Sequence, residues 1–195
     1  MTASKIMVIR HAEKPDDAST VFGVTIEGHQ APQELTVRGW QRAGALATFF
    51  APPDAHFRDQ RIEKPLMIFA SRVAPHSKSL RPQHTVEPLA ELIGCEKLRL
   101  DFSEGEEQQL VAAAVAVDGV VLISWQHEAI PAINDLLLGD HAPPRKWDKE
   151  RSDLVWVFTR SAASWRFEQV PQLLLAGDKS NPIEKVLSAT WPNPA

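Results

Sequence analysis

The chain has 195 residues, 44% hydrophobic and 24% charged. That is about one domain at roughly 150 residues per domain, with a composition that excludes general disorder. A formal net charge of −4 argues against a general nucleic-acid or membrane-surface binder, because phosphate-rich surfaces attract basic faces. The single cysteine, Cys95, rules out an intrachain disulfide and a zinc site built on paired thiolates.

The longest apolar run, 110–117, is far short of the ~18 residues of a membrane span. The apolar stretch near the N-terminus, Ile6–Ile9, is shorter than the about 7–15 residues of a signal peptide core. A cytoplasmic protein of one domain over 1–195 is expected, with 176–195 as a C-terminal tail. Apolar runs alternate with helix-period stretches, which predicts an α/β layered fold.

The first strand is Lys5–Ile9, apolar on both faces as in a buried parallel strand. It runs into Arg10-His11, and residues 15–33 read as a long loop. A helix follows over Thr36–Phe50, stopped by Pro52-Pro53. A second strand, Leu66–Ala70, ends at Ser71-Arg72, and a loop over 73–80 leads to Arg81. Thr85 reads as the N-cap of a helix carrying Val86, Leu89, Leu92 and Ile93, with Pro88 in its first turn. Leu98–Phe102 fits a short strand, and Ser103-Glu104-Gly105-Glu106 fits a capping box opening the next helix. The clearest buried strand, Val120–Trp125, ends at Gln126-His127-Glu128, and a helix with Ile130, Ile133 and Leu137 comes next. Leu154–Phe158 is a further strand. Trp165 and Phe167 alternate with charged residues, as in a half-exposed antiparallel strand.

Three buried strands thus end in polar residues of chemical type. Parallel strands deliver their carboxyl ends to one sheet edge, where ligands bind in open α/β sheets. Two histidines, two or three arginines and a carboxylate would then converge. Guanidinium forks match phosphate oxygens and stay charged. A neutral imidazole can attack phosphorus, and nearby cations keep it neutral by lowering its pKa. The same cations stabilise the equatorial oxygens of the transition state, so no metal or other cofactor is called for. A carboxylic acid would protonate the leaving alkoxide.

These residues resemble the histidine phosphatase superfamily, the phosphoglycerate mutase-like proteins of the branch-1 type. Arg10-His11-Ala12-Glu13 is similar to the Arg-His-x-Glu signature. Leu35-Thr36-Val37-Arg38-Gly39-Trp40-Gln41-Arg42-Ala43 is similar to the Leu-Thr-x-x-Gly-x-x-Gln-Ala segment after it. Arg81 with Thr85 resembles the Arg-x-x-x-Thr of a second phosphate-binding arginine, and Val121–His127 resembles the strand bearing the second histidine. The order agrees across residues 5–137.

The resemblance implies a three-layer α/β/α sandwich with a mostly parallel central sheet. It makes His11 the phosphohistidine nucleophile, with Arg10, Arg81 and His127 completing the phosphate pocket. The acid is open between Glu128 and the group Glu104, Glu106 and Glu107. Lys14, Ser71 and Arg72 are candidate substrate contacts, and Glu13-Lys14 reads equally as a surface pair. Arg42 departs from the family's Gln, at what reads as a helix surface. The spacing from Ser71 to Arg81 exceeds that of the common form. The expected activity is metal-independent hydrolysis of phosphomonoesters, on a small phosphorylated molecule or a phosphoprotein. Alternatives are a phosphomutase and a phospho-ligand-binding protein without turnover. The lips of the pocket are expected at 15–33 and 73–80. The sequence leaves the oligomeric state and the substrate open.

Overall fold

The computed structural model describes residues 2–15, 20–139, 144–162 and 164–184. Among them a six-stranded sheet forms, built from β1 (Lys5–Arg10), β2 (Met67–Ala70), β3 (Leu98–Arg99), β4 (Val120–Trp125), β5 (Leu154–Ser161) and β6 (Ser164–Pro171), in the order β3-β2-β4-β1-β5-β6. The first four in that order are parallel, β5 is antiparallel to β1, and β6 is antiparallel to β5.

Successive side chains on a strand face opposite ways, so β1 feeds two cores. Met7 and Ile9 pack with Leu46 and Phe50 of α1 (Val37–Phe50) and with Val86, Leu89 and Ile93 of α2 (Arg81–Ile93). Ile6 and Val8 pack with Leu110 and Ala114 of α3 (Glu107–Ala116) and with Ile130 and Ile133 of α4 (Ile130–Leu138). The result is the expected three-layer sandwich on a mostly parallel sheet. No helix among the described residues is long and apolar enough to cross a membrane.

Helix starts reflect local chemistry. Thr36 caps α1, its hydroxyl accepting from the Gly39 N–H at 3.1 Å. The second helix begins at Arg81, four residues before the Thr85 expected as its cap. Pro82 supplies the start by filling an early position whose N–H needs no partner. Pro88 therefore lies inside the helix rather than in its first turn. Glu106 closes onto the Ser103 N–H and hydroxyl at 2.7 Å each, as a capping box would, but this turn precedes the helix, which starts at Glu107. The expected strand over Leu98–Phe102 is only two residues long.

Candidate active site

The pairing register builds one edge. Arg10 lies opposite Trp125, and Ala70 opposite Ser124, so His11, Gln126 and Ser71 leave the sheet together. Because β5 runs against β1, its amino end, and the segment just before it, reaches the same edge.

His11 is 4% exposed. Its Nδ1 lies 2.7 Å from the Ala12 carbonyl oxygen. A carbonyl only accepts, so Nδ1 carries the proton and the lone pair resides on Nε2. Burial, reinforced by the charges of Arg10, Arg81 and Lys14, holds this imidazole well below its ordinary pKa, although the Ala12 bond opposes the shift. The backbone around it is gripped from two helices. The Ala12 N–H donates to Thr85 Oγ1 at 2.8 Å, and that hydroxyl donates to the Arg81 carbonyl at 2.7 Å. The Glu13 carbonyl accepts from the Thr36 N–H at 3.0 Å and the Thr36 hydroxyl at 3.2 Å. Gly39 makes this approach possible: a Cβ there would stand 2.5 Å from the Glu13 oxygen.

A cleft of about 250 Å³ opens beside these residues. Arg10, Glu13, Lys14 and Pro15 line it from the end of β1, His127 and Glu128 from the end of β4, and Lys149, Glu150 and Ser152 from the segment before β5. His11 and Arg81 are not part of that lining; the backbone after His11 is tied to the first turn of α2 through the Ala12–Thr85–Arg81 hydrogen bonds. Arg10 is buried and donates through Nη1 to the Lys149 carbonyl, while its Nε has no hydrogen-bond partner. Burial lowers its pKa, against the pull of Glu128 and Glu150. His127 is likewise lowered, by burial and then by Arg10, with Glu128 opposing. The Glu128 carboxylate lies 2.7 Å from His127 Nδ1 but without hydrogen-bond alignment, since that nitrogen has no bonded partner.

The other sequence candidates are spread more widely. Arg81 donates through Nε to the Glu34 carbonyl at 3.1 Å and through Nη2 to the Pro32 carbonyl, and burial lowers its pKa. Ser71 is buried and accepts from Gln126 Nε2 at 2.9 Å, inside a cluster completed by Ser77. Arg72 is turned to the Asp101 carbonyl at 3.3 Å and to Glu106 at 3.1 Å. Neither Ser71 nor Arg72 lines the cleft. Of the four candidate acids only Glu128 does. Glu106 is held by Ser103 and Arg72, and Glu107 accepts from the Trp125 indole at 3.0 Å. The Glu104 carbonyl faces His76 Nε2 at 2.8 Å.

The lips also differ from expectation. Pro15 belongs to the cleft, residues 16–19 lie outside the described residues, and the opposite wall comes from Lys149–Ser152. Segment 32–34 instead receives Arg81. The sequence gives no expectation for the wall before β5, because the residue pattern of that strand carries no direction. The charged run Arg145–Asp153 directly ahead of an apolar strand was the available signal: a strand antiparallel to its neighbours begins where they end.

Arg42 overturns the surface reading. It is 2% exposed. Its Nε and Nη2 bond both oxygens of Glu13 at 2.8–3.1 Å, and Nη1 and Nη2 bond both oxygens of Asp178 at 3.1 and 2.7 Å. Burial alone would lower its pKa, but these carboxylates outweigh it and raise the value. Arg38 joins from the same helix, 3.1 Å from Glu13 and 3.6 Å from Asp178. Glu13 and Lys14 are thus not a pair with each other. Within the expected tail, Asp178 is anchored by this fork and by the Leu174 and Leu175 N–H groups, and Lys179 donates its N–H to Asp153. Residues 185–195 lie outside the described residues.

No protein-family model and no curated protein matches the sequence. Solved structures do match by shape. The protein histidine phosphatase SixA complexed with tungstate superposes with a TM-score of 0.50 at 14% identity, over 86% of this chain and 97% of that one. A mycobacterial glucosyl-3-phosphoglycerate phosphatase superposes with a TM-score of 0.48 at 15% identity, over 85% and 97%. The fold is that of the histidine phosphatases.

Proposed function

We propose that the protein is a phosphohydrolase that cleaves phosphomonoesters through a phosphohistidine on His11. One observation carries the reading: a buried imidazole with Nδ1–H committed to the Ala12 carbonyl, which leaves the Nε2 lone pair among cations. The tungstate carried by the histidine phosphatase of the same fold is a phosphate-like oxyanion, in keeping with this reading.

In the first step Nε2 donates its electron pair to phosphorus as the ester P–O bond breaks, and the leaving alkoxide takes a proton. Arg10, Arg81 and Lys14 supply positive charge to the phosphoryl oxygens, so the step is metal-independent. Arg10 lines the cleft with its guanidinium anchored on the Lys149 carbonyl. Glu128 beside His127 is the proposed proton carrier, because it alone of the candidate acids lines the cleft. In the second step water attacks phosphorus, the P–N bond breaks, and the water's proton passes to the group that served as acid. Inorganic phosphate leaves and His11 is again neutral.

The test is hydrolysis of an aryl phosphate with chelator present. Wild type turns over, carries an acid-labile phosphoryl group on His11 after rapid quench, and is inhibited by vanadate. His11→Ala is reduced to background. Equal rates in both proteins would end the assignment. Binding of phosphate esters by calorimetry, with no turnover in either protein, would leave a phospho-ligand-binding protein.

A further inference from the structure

We propose that Arg42 and Asp178 are positioning residues that set the tautomer of His11 from outside the cleft. The inference rests on the phosphohistidine reading for its consequence in catalysis, but its structural content is independent of turnover. His11 is useful only while its Nδ1–H points at the Ala12 carbonyl. That carbonyl belongs to the peptide joining Ala12 to Glu13, so its direction depends on where Glu13 is held.

Glu13 is held on both its parts. Its own carbonyl is fixed by Thr36. Its carboxylate is fixed by a two-pronged fork from Arg42, Nε to one oxygen at 3.0 Å and Nη2 to the other at 2.8 Å. Arg42 cannot be placed by α1 alone, because a long side chain with a planar head has many rotamers. Its second pair of contacts, to Asp178, removes that freedom. Asp178 in turn is pinned by two backbone N–H groups at 2.8 and 3.1 Å. Gln172, at the end of β6, accepts from Arg42 Nη1 at 2.9 Å. A continuous set of bonds therefore runs from segment 172–178 through Arg42 to the peptide that orients the nucleophile. The whole chain of contacts is buried or half-buried, where an uncommitted guanidinium or carboxylate would be costly. A purely structural ion pair would not need to end on the residue two places from the nucleophile.

The experiment compares Arg42→Met, Asp178→Asn and a destabilised control on the opposite face of the sheet, Ile133→Ala, which is buried with α4. Nitrogen-15 shifts of His11 report the tautomer, and steady-state kinetics on the aryl phosphate report the consequence. In wild type and in Ile133→Ala, His11 holds its proton on Nδ1. In Arg42→Met and Asp178→Asn the two tautomers mix, and kcat falls about tenfold or more with KM little changed, as expected when orientation and not binding is lost. Asp178→Glu, which keeps the carboxylate, recovers part of kcat. Asp178→Asn serves alone should Arg42→Met fail to fold. A folded Asp178→Asn protein with an unmixed Nδ1–H tautomer overturns the proposal, whatever its rate. Should wild type show no phosphatase activity, the tautomer measurement still decides the positioning, and the phosphatase reading falls separately.

Discussion

Gly39 and Gly44 lie five residues apart on α1, and the same substitution is expected to act on them with opposite sign. At Gly39 an added Cβ would meet the Glu13 carbonyl oxygen at 2.5 Å, the Leu35 Cβ at 3.0 Å and the Glu13 nitrogen at 3.2 Å. Favourable C–H···O contacts lie at about 3.3–3.6 Å, so either the helix or the loop after β1 must move. Overpacking costs about 1–3 kcal/mol, and a backbone oxygen as the obstacle places this site in the upper part of that range. Alanine is the better helix former by about 1 kcal/mol, which leaves a net loss of about 1–2 kcal/mol for Gly39→Ala. At Gly44 a Cβ meets nothing within 4 Å, so Gly44→Ala should gain up to about 1 kcal/mol. At about 2–4 °C per kcal/mol for a chain of this size, the melting temperatures should separate by several degrees in opposite directions from wild type. Differential scanning calorimetry of the two variants reads this directly, and on the proposed function Gly39→Ala should also slow hydrolysis of the aryl phosphate. A Gly39→Ala protein as stable as Gly44→Ala would show that the close approach of the two backbones is not what holds the loop.

Three further outcomes follow from the same contacts. Thr85→Val is nearly isosteric but leaves the buried Ala12 N–H unpaired, a loss of about 1–3 kcal/mol in urea unfolding that Thr85→Ser should largely restore. A nuclear magnetic resonance titration of His11 should show the ring neutral well below the ordinary imidazole range, because its folded pKa is lowered by burial and by Arg10; a midpoint at about 6.5 or above would contradict the site. Asp178 is held below the usual carboxylate value: burial would raise it, but Arg42 and the Leu174 and Leu175 N–H groups prevail. Its stabilisation is therefore full above the unfolded carboxylate pKa and is lost as pH falls through the lower folded value. The stability gap between wild type and Asp178→Asn should close on acidification, and a gap constant down to about pH 3 would be inconsistent with that linkage.

The parts of this fold visible in the sequence are those whose signal is local. Lys5–Ile9 and Val120–Trp125 declare themselves as buried parallel strands because both of their faces are apolar, and the helix over Thr36–Phe50 shows in its apolar period and its stop at Pro52-Pro53. The convergence of His11 and His127 on one edge followed from strand direction alone. Residues whose roles depend on distant partners were misread. Thr85 has the composition of a helix cap, yet its hydroxyl serves Ala12, a residue on another element. Arg42 looked like a solvent-facing charge because its counter-charges, Glu13 and Asp178, are far from it in the chain. Arg72 and Ser71 stand at the right strand end, but their nearest polar neighbours use them before the cleft does. Lys149 and Glu150 were invisible until the direction of β5 was known.

The place of β1 in the sheet has a consequence for how the molecule forms. Lys5 pairs with Val120 on one side and with Thr159 on the other, so the strand leading to His11 is synthesised before either neighbour and gains both only once β5 has been made. Contacts of such long sequence separation are slow to close. Until they do, an apolar ribbon with two unpaired edges is available to any other chain. A ribosome-stalled or prematurely ended product lacking β5 would keep one of those edges open, and aggregation of such fragments should nucleate at residues 5–10.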